Sequence, residues 1–198
     1  MDTKHTISIV FQPCEQGIRF VAALKERVRR LLNKWYPSCN STAHVTICRM
    51  KDVSDEQLTR IIDLLATALR YEHAQHIYFD SFATYPSSGT FFIDPTVQSK
   101  AFLLHKMRKV IAEVEKVMQT DKSRQPHLTI SRGLDSQNLR EVKDQEEFKI
   151  LDFDFFCKGI VLRKFDEEKK QYVAFLEIPF GNEKRAGLES GQQLSFGF

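Results

Sequence analysis

Two short stretches of the chain repeat one arrangement of side chains able to move protons and hold an anion. They are Ala43-His44-Val45-Thr46-Ile47-Cys48-Arg49 and Pro126-His127-Leu128-Thr129-Ile130-Ser131-Arg132. Each reads as a short strand, in which successive side chains alternate between faces. His44 and Thr46 then share one face while Val45 and Ile47 take the other, and His127 and Thr129 separate from Leu128 and Ile130 in the same way. Histidine titrates close to neutrality, so of two such rings one can be neutral and the other protonated. A threonine hydroxyl can donate to an oxygen on which negative charge builds. Facing one another across a cleft, these four groups suit in-line displacement at a phosphodiester. One histidine takes a proton from the incoming oxygen, and the other, beyond phosphorus, gives one to the leaving oxygen. That chemistry needs no metal.

A single His-x-Thr triplet means little, because a lone strand histidine is more often a structural hydrogen-bonding residue. Two copies, each with apolar partners and each with an arginine three residues past the threonine, carry much more. Cys48 and Ser131 have the parity to line the same groove. Strict alternation puts Arg49 and Arg132 on the opposite face, and Arg132 reaches a phosphate only if its strand ends or bulges near Ser131. The other histidines, His5, His73, His76 and His105, lack the motif and are expected on the surface. Cys14, Cys39, Cys48 and Cys157 form no Cys-x-x-Cys and have no flanking histidine cluster, which argues against zinc and for free thiols in a reducing cytoplasm.

The elements that must hold these residues follow from periodicity. Ile7, Ile9 and Phe11 alternate as a strand ending near Pro13. Residues 17–35 carry a helical apolar stripe, with Lys25, Arg27, Arg29, Arg30 and Lys34 expected on a solvated face. A strand over 43–48 is followed by a helix capped at Ser54, then strands over 77–82 and 90–93 joined by a turn-forming loop. A helix over 98–119, a strand over 127–131, a weaker helix over 136–148 and a hairpin pairing 158–165 with 172–178 complete the body. Residues 1–180 are expected as one domain and 181–198 as a loose tail. Each His-x-Thr strand sits between helices in its own half of the chain, so the order is a degenerate internal repeat, and two halves pairing face to face bring both motifs into one cleft.

Composition sets wide bounds. With 198 residues, 42% hydrophobic and 28% charged, the chain reads as a folded soluble protein, and its 16 phenylalanines are mostly core. A formal charge of +3 neither requires nor excludes nucleic acid. No apolar run spans a membrane, and the N-terminus lacks a signal-peptide stretch, so a cytoplasmic protein, monomeric and without membrane partners, is expected.

The two motifs and the element order resemble the two-histidine (2H) phosphoesterase superfamily, which includes the 2′-5′ RNA ligase-like proteins and the 2′,3′-cyclic phosphodiesterases. The family signature is His, apolar, Thr or Ser, apolar, given twice, and His44-Val45-Thr46-Ile47 and His127-Leu128-Thr129-Ile130 both meet it. The resemblance runs from the first strand to about Pro179. It implies an α+β, bilobal, pseudo-twofold fold, with antiparallel-rich sheets lining a central cleft and helices outside. It implies hydrolysis of cyclic or 2′-5′ phosphodiesters at RNA ends or on small nucleotides, with weak reverse ligation, no cofactor, no metal, and His44, Thr46, His127 and Thr129 as the site. An arginine often follows the second motif in the ligase-like branch, where Arg132 stands here. Tyr85 and Phe92 are candidates to stack on a base, and Tyr172 to line the groove from the closing hairpin. Substrate choice is expected in the segments 37–42, 82–89 and 120–125. The alternative is a non-catalytic nucleotide or RNA-end binding module of the same fold. Which histidine is acid and which base is left open by the sequence.

Overall fold

Alternating apolar residues build strands that join into one continuous antiparallel sheet, with helices on one of its faces. The computed structural model describes residues 3–183. In chain order the elements are β1 (His5–Phe11), α1 (Glu15–Leu32), β2 (Val45–Val53), α2 (Asp55–Leu69), β3 (Gln75–Tyr85), β4 (Thr90–Pro95), α3 (Val97–Val114), β5 (Asp121–Lys122), β6 (Leu128–Ser131), α4 (Ser136–Lys143), β7 (Phe153–Cys157), β8 (Gly159–Asp166) and β9 (Gln171–Pro179). The sheet order is β7-β3-β4-β6-β2-β1-β8-β9, with β5 pairing β2 off this path. The two motif strands, β2 and β6, are neighbours at its middle, joined through the pair Val45 and Leu128. Outward from that seam run β2-β1-β8-β9 on one side and β6-β4-β3-β7 on the other. The repeat in the sequence is thus two four-strand halves, and the α+β, pseudo-twofold architecture that the family resemblance implies is the one observed.

The helices tie the halves together. α1, which leaves β1, packs on β6 and β7 of the other half and against α4, while α3 lies across β2, β3 and β4 and against α2. Ile9, Ile47, Phe91 and Ile130 from the strands share the core with Val21, Leu24, Leu103 and Val110 from the helices. Local chemistry sets the helix ends. Ser54 and Gln57 form a reciprocal capping box at the start of α2, and the Thr96 and Asp135 side chains accept from backbone N–H groups at the starts of α3 and α4. α1 stops at Leu32 rather than Trp35 because Asn33 turns left-handed, at φ 47°.

Several expectations are corrected. Lys25 is buried, not on the solvated face of α1. It falls four residues after Val21 and three before Val28, on the inward stripe rather than the basic one. His5 is also buried, with its Nε2 2.7 Å from the Asp55 carboxylate at the start of α2. The sequence offered no assignment for 153–157. Phe153, Phe155 and Cys157 are buried and Asp154 and Phe156 exposed, an edge strand on β3 whose alternation is masked by two adjacent phenylalanines. Gly181, Asn182 and Glu183 donate backbone N–H groups to the carbonyls of Leu69, Glu72 and Arg70. The rest of the expected tail, 184–198, lies outside the described residues. Among the described residues no helix is long and apolar enough to cross a membrane.

Candidate active site

The face of the sheet away from the helices carries a cavity of about 690 Å³, and His44, Thr46, His127 and Thr129 all line it. Alternation explains those four, since Val45, Ile47, Leu128 and Ile130 are fully buried toward the core. Beyond the threonines, alternation breaks in both strands in the same way. In β2, Ile9 pairs with Cys48 but the next residue, Val10, pairs with Thr46, which leaves Ile47 as an extra residue. In β6, Phe91 pairs with Ser131 and Phe92 with Thr129, which leaves Ile130 extra. Each is a β-bulge that reverses the facing of the residues after it. Cys48 and Ser131, expected in the groove, are turned into the core, both 0% exposed. Arg49 and Arg132, which strict alternation places on the far face, are turned into the cavity.

Both histidine rings are fixed by the same device. Nδ1 of His44 is 2.6 Å from the Thr42 carbonyl oxygen, and Nδ1 of His127 is 2.9 Å from that of Gln125. A carbonyl only accepts, so in each ring Nδ1 carries the proton and donates it. Nε2 is the remaining titrating atom, an acceptor when the ring is neutral and a donor when it is charged. Burial is the main cause that pushes the His44 imidazolium down to about 3, with the Arg163, Lys25 and Arg49 charges adding to it against the Thr42 hydrogen bond. His127 is also lowered, again chiefly by burial and then by Arg132, while the Gln125 hydrogen bond and the Asp94 carboxylate act the other way, Asp94 being offset by its own ion pair with Lys100 at 2.6 Å. His44 therefore sits among cations, whereas His127 has Arg132 and the Asp94–Lys100 pair in its surroundings and is displaced less.

The aromatic candidates divide. Tyr85 lines the cavity with its ring edge-on to His127, centroids 5.4 Å apart. Phe92 does not line it. It is 3% exposed, 4.9 Å from the His127 ring and stacked at 4.4 Å on Tyr85, a packing support rather than a surface for a base. Tyr172 lines the opposite wall with the Arg163 guanidinium 5.5 Å over its ring. Residues from the segments 37–42 and 120–125, and Tyr85 and Ser88 from 82–89, also line the cavity. Arg163 and Trp35 belong to the lining too and were not anticipated. The signal for Arg163 was an arginine two residues from both Val161 and Phe165 on one face of a strand. Trp35 carried none beyond its type, because its place in the apolar stripe of α1 suggested core, and it is instead 66% exposed.

Lys25 supports this wall from behind. Its Nζ donates to the Ser38 carbonyl at 3.0 Å, the Ser41 carbonyl at 2.6 Å and the Ser41 hydroxyl at 2.7 Å. These bonds hold the loop that presents the Thr42 carbonyl to His44. Lys25→Met takes the donor from the Ser41 carbonyl, while the Ser38 carbonyl keeps the Ser41 hydroxyl and backbone N–H. The substitution is expected to cost about 2 kcal/mol in urea unfolding and to lower turnover more than it raises KM. A variant with unchanged stability would show that the loop holds itself.

The 2′-5′ RNA ligase superfamily pattern matches residues 13–169, which include both His-x-Thr motifs. Among solved structures, Escherichia coli LigT in complex with 3′-AMP superposes with a TM-score of 0.64 at 12% identity, covering 90% of this chain and 99% of that one. TT0787 of Thermus thermophilus gives a TM-score of 0.64 at 15% identity, covering 90% and 100%. Usb1 of Kluyveromyces marxianus gives 0.50 at 10% identity, covering 88% and 98%. At such identities the likeness is one of fold. No curated protein matches the sequence.

Proposed function

This chain belongs to the 2′-5′ RNA ligase superfamily, within the 2H phosphoesterases, and from that premise we propose that it is a metal-independent phosphodiesterase that opens 2′,3′-cyclic phosphates of nucleotides or RNA ends. The observation that carries the reading is the pair of identically oriented rings. Each histidine donates a hydrogen bond from Nδ1–H to the carbonyl two residues earlier, which leaves two Nε2 atoms, at the starts of neighbouring strands, for one cavity. Binding alone would not need two such titrating groups.

In the proposed step a water oxygen attacks phosphorus, and one Nε2 takes the proton it sheds. The bond from phosphorus to a ribose oxygen breaks, and the other Nε2 gives its proton to that oxygen, leaving a phosphomonoester. Thr46 and Thr129 donate to the non-bridging oxygens as charge collects there. His44, surrounded by Arg163, Lys25 and Arg49, favours its neutral form and is the base. His127, displaced less than His44, keeps a proton more readily and is the acid. The same site run backwards joins a cyclic end to a 5′-hydroxyl, a reaction that water outcompetes in dilute solution.

The pH dependence follows from the direction of the shifts. Both histidines are held below their ordinary value, so in the free protein at neutral pH both are neutral and the base is ready. The acid gains its proton more readily once a phosphate anion lies beside it. The alkaline limb of kcat/KM, which reports the free protein, is therefore expected on the acid side of neutrality, and that of kcat at higher pH. Coincident limbs would contradict this account.

The deciding assay is incubation with a nucleoside 2′,3′-cyclic phosphate in excess EDTA. Turnover to the monoester is expected to persist. Turnover abolished by the chelator overturns the metal-independent reading, and tight binding without turnover favours the binding module.

A further inference from the structure

Beside the four motif residues, the cavity holds a second group of charges to which the proposed reaction gives no contact with the substrate. Ser8 of β1 pairs with Arg49 of β2 on one side and with Arg163 of β8 on the other. Directly opposite residues of antiparallel strands put their side chains on the same face. The two guanidiniums therefore flank the small Ser8 in one row across three strands, and both line the cavity. The next row on that face of β1 is Thr46, Val10 and Val161. The rows are two residues of β1 apart, about 7 Å along the strand, a distance that one nucleotide bridges.

This row lacks a counter-charge. Arg163 is 3% exposed, and its Nε is buried with no hydrogen-bond partner, as is the Ser8 hydroxyl. Among the described residues no carboxylate forms an ion pair with Arg49 or Arg163, although Asp121 stands opposite Arg49 on β5. The Tyr172 ring is the neighbour that Arg163 does have. Burial, and after it the Arg49 charge, lowers the Arg163 guanidinium to about 10. A buried cation without a partner is costly, and an anion placed between two guanidiniums relieves both the burial and the repulsion. Phosphate suits this role, since its oxygens match the planar N–H fork of arginine.

We propose that Arg49 and Arg163, side by side over Ser8, form a binding site for a second phosphate group of the substrate, next to the phosphate attacked between His44 and His127. The inference rests on the phosphodiesterase reading and narrows it. The preferred substrate carries a phosphate besides the cyclic one, as on the 5′ side of an RNA end or of a single nucleotide. A free cyclic nucleoside monophosphate fills only half of the site.

Trp35 makes the test direct, because it is the single tryptophan of the chain and lines the same cavity. Its emission is followed during titration with adenosine 3′-monophosphate and adenosine 3′,5′-bisphosphate, for the wild type, R163Q and R49Q. The bisphosphate is expected to bind the wild type at least about tenfold more tightly, with either substitution cutting that advantage to about threefold or less. R49Q changes a partly exposed position and reads the site even if R163Q unfolds. In parallel, kcat/KM is compared for adenosine 2′,3′-cyclic phosphate with and without a 5′-phosphate. Equal affinity of the wild type for the two ligands overturns the site. So does an equal loss for both in the variants, which would put the arginines on the attacked phosphate. If neither cyclic phosphate is turned over but the arginine-dependent preference persists, the second site stands and the catalytic reading falls. If turnover occurs without preference, the reverse holds.

Discussion

Replacing either His44 or His127 by alanine is expected to lower kcat/KM for a nucleoside 2′,3′-cyclic phosphate by about 10²–10⁴-fold, and replacing both to lower it little further. Acid and base act in one transition state, so losing the first removes most of what the second contributes. The fold should survive. Both rings sit at the cavity wall, each hydrogen-bonded to a carbonyl only two residues away, and the core beneath is filled by Val45, Ile47, Leu128 and Ile130. Unchanged thermal midpoints alongside lost turnover are the expected pairing of results. A near wild-type rate in either variant would end the two-histidine account. An activated diester separates the roles. With bis(p-nitrophenyl) phosphate the leaving group needs no proton, so His127→Ala should lose far less activity than it does on the cyclic substrate, while His44→Ala should lose as much. The opposite pattern would exchange the two assignments.

Thr46→Val and Thr129→Val are each expected to lower kcat by about 10²–10³-fold, the loss typical of one donor to a developing oxyanion. KM should change much less, because the bond gains most of its strength as charge accumulates. Valine keeps the shape of threonine and suits a strand, so stability should hold. Thr46→Ser and Thr129→Ser keep the hydroxyl and should recover most of the rate. Should valine variants instead raise KM and spare kcat, the threonines would be ground-state contacts and the charge would be held elsewhere, with Arg49 and Arg132 the next candidates.

The paired bulges show where reading from the sequence stops. Hydrophobic alternation placed His44, Thr46, His127 and Thr129 on one face, because that part of each strand is regular. It placed Cys48 and Ser131 with them and Arg49 and Arg132 apart, and for all four the bulges at Ile47 and Ile130 reverse the outcome. A bulge is a mismatch between two strands, and neither strand alone encodes it. The same holds for Phe92. Its type suggested a base-stacking surface, but its packing under His127 and Tyr85 is decided by the pairing of β4 with β6.

The motif residues, the repeat and most of the element order were legible in the linear chain, since these depend on local alternation, helical periodicity and capping. Folding in three dimensions set the rest. The seam between β2 and β6 makes the two motifs share one cavity. The hydrogen bonds to Thr42 and Gln125 select the ring nitrogen that faces it, and the charges packed around each ring make His44 and His127 unequal. Arg163 and Lys25, outside both motifs in the sequence, come to His44 only when β8 has paired with β1 and α1 has packed on β6. Their effect is electrostatic and depends on distance and burial, which a linear chain does not specify.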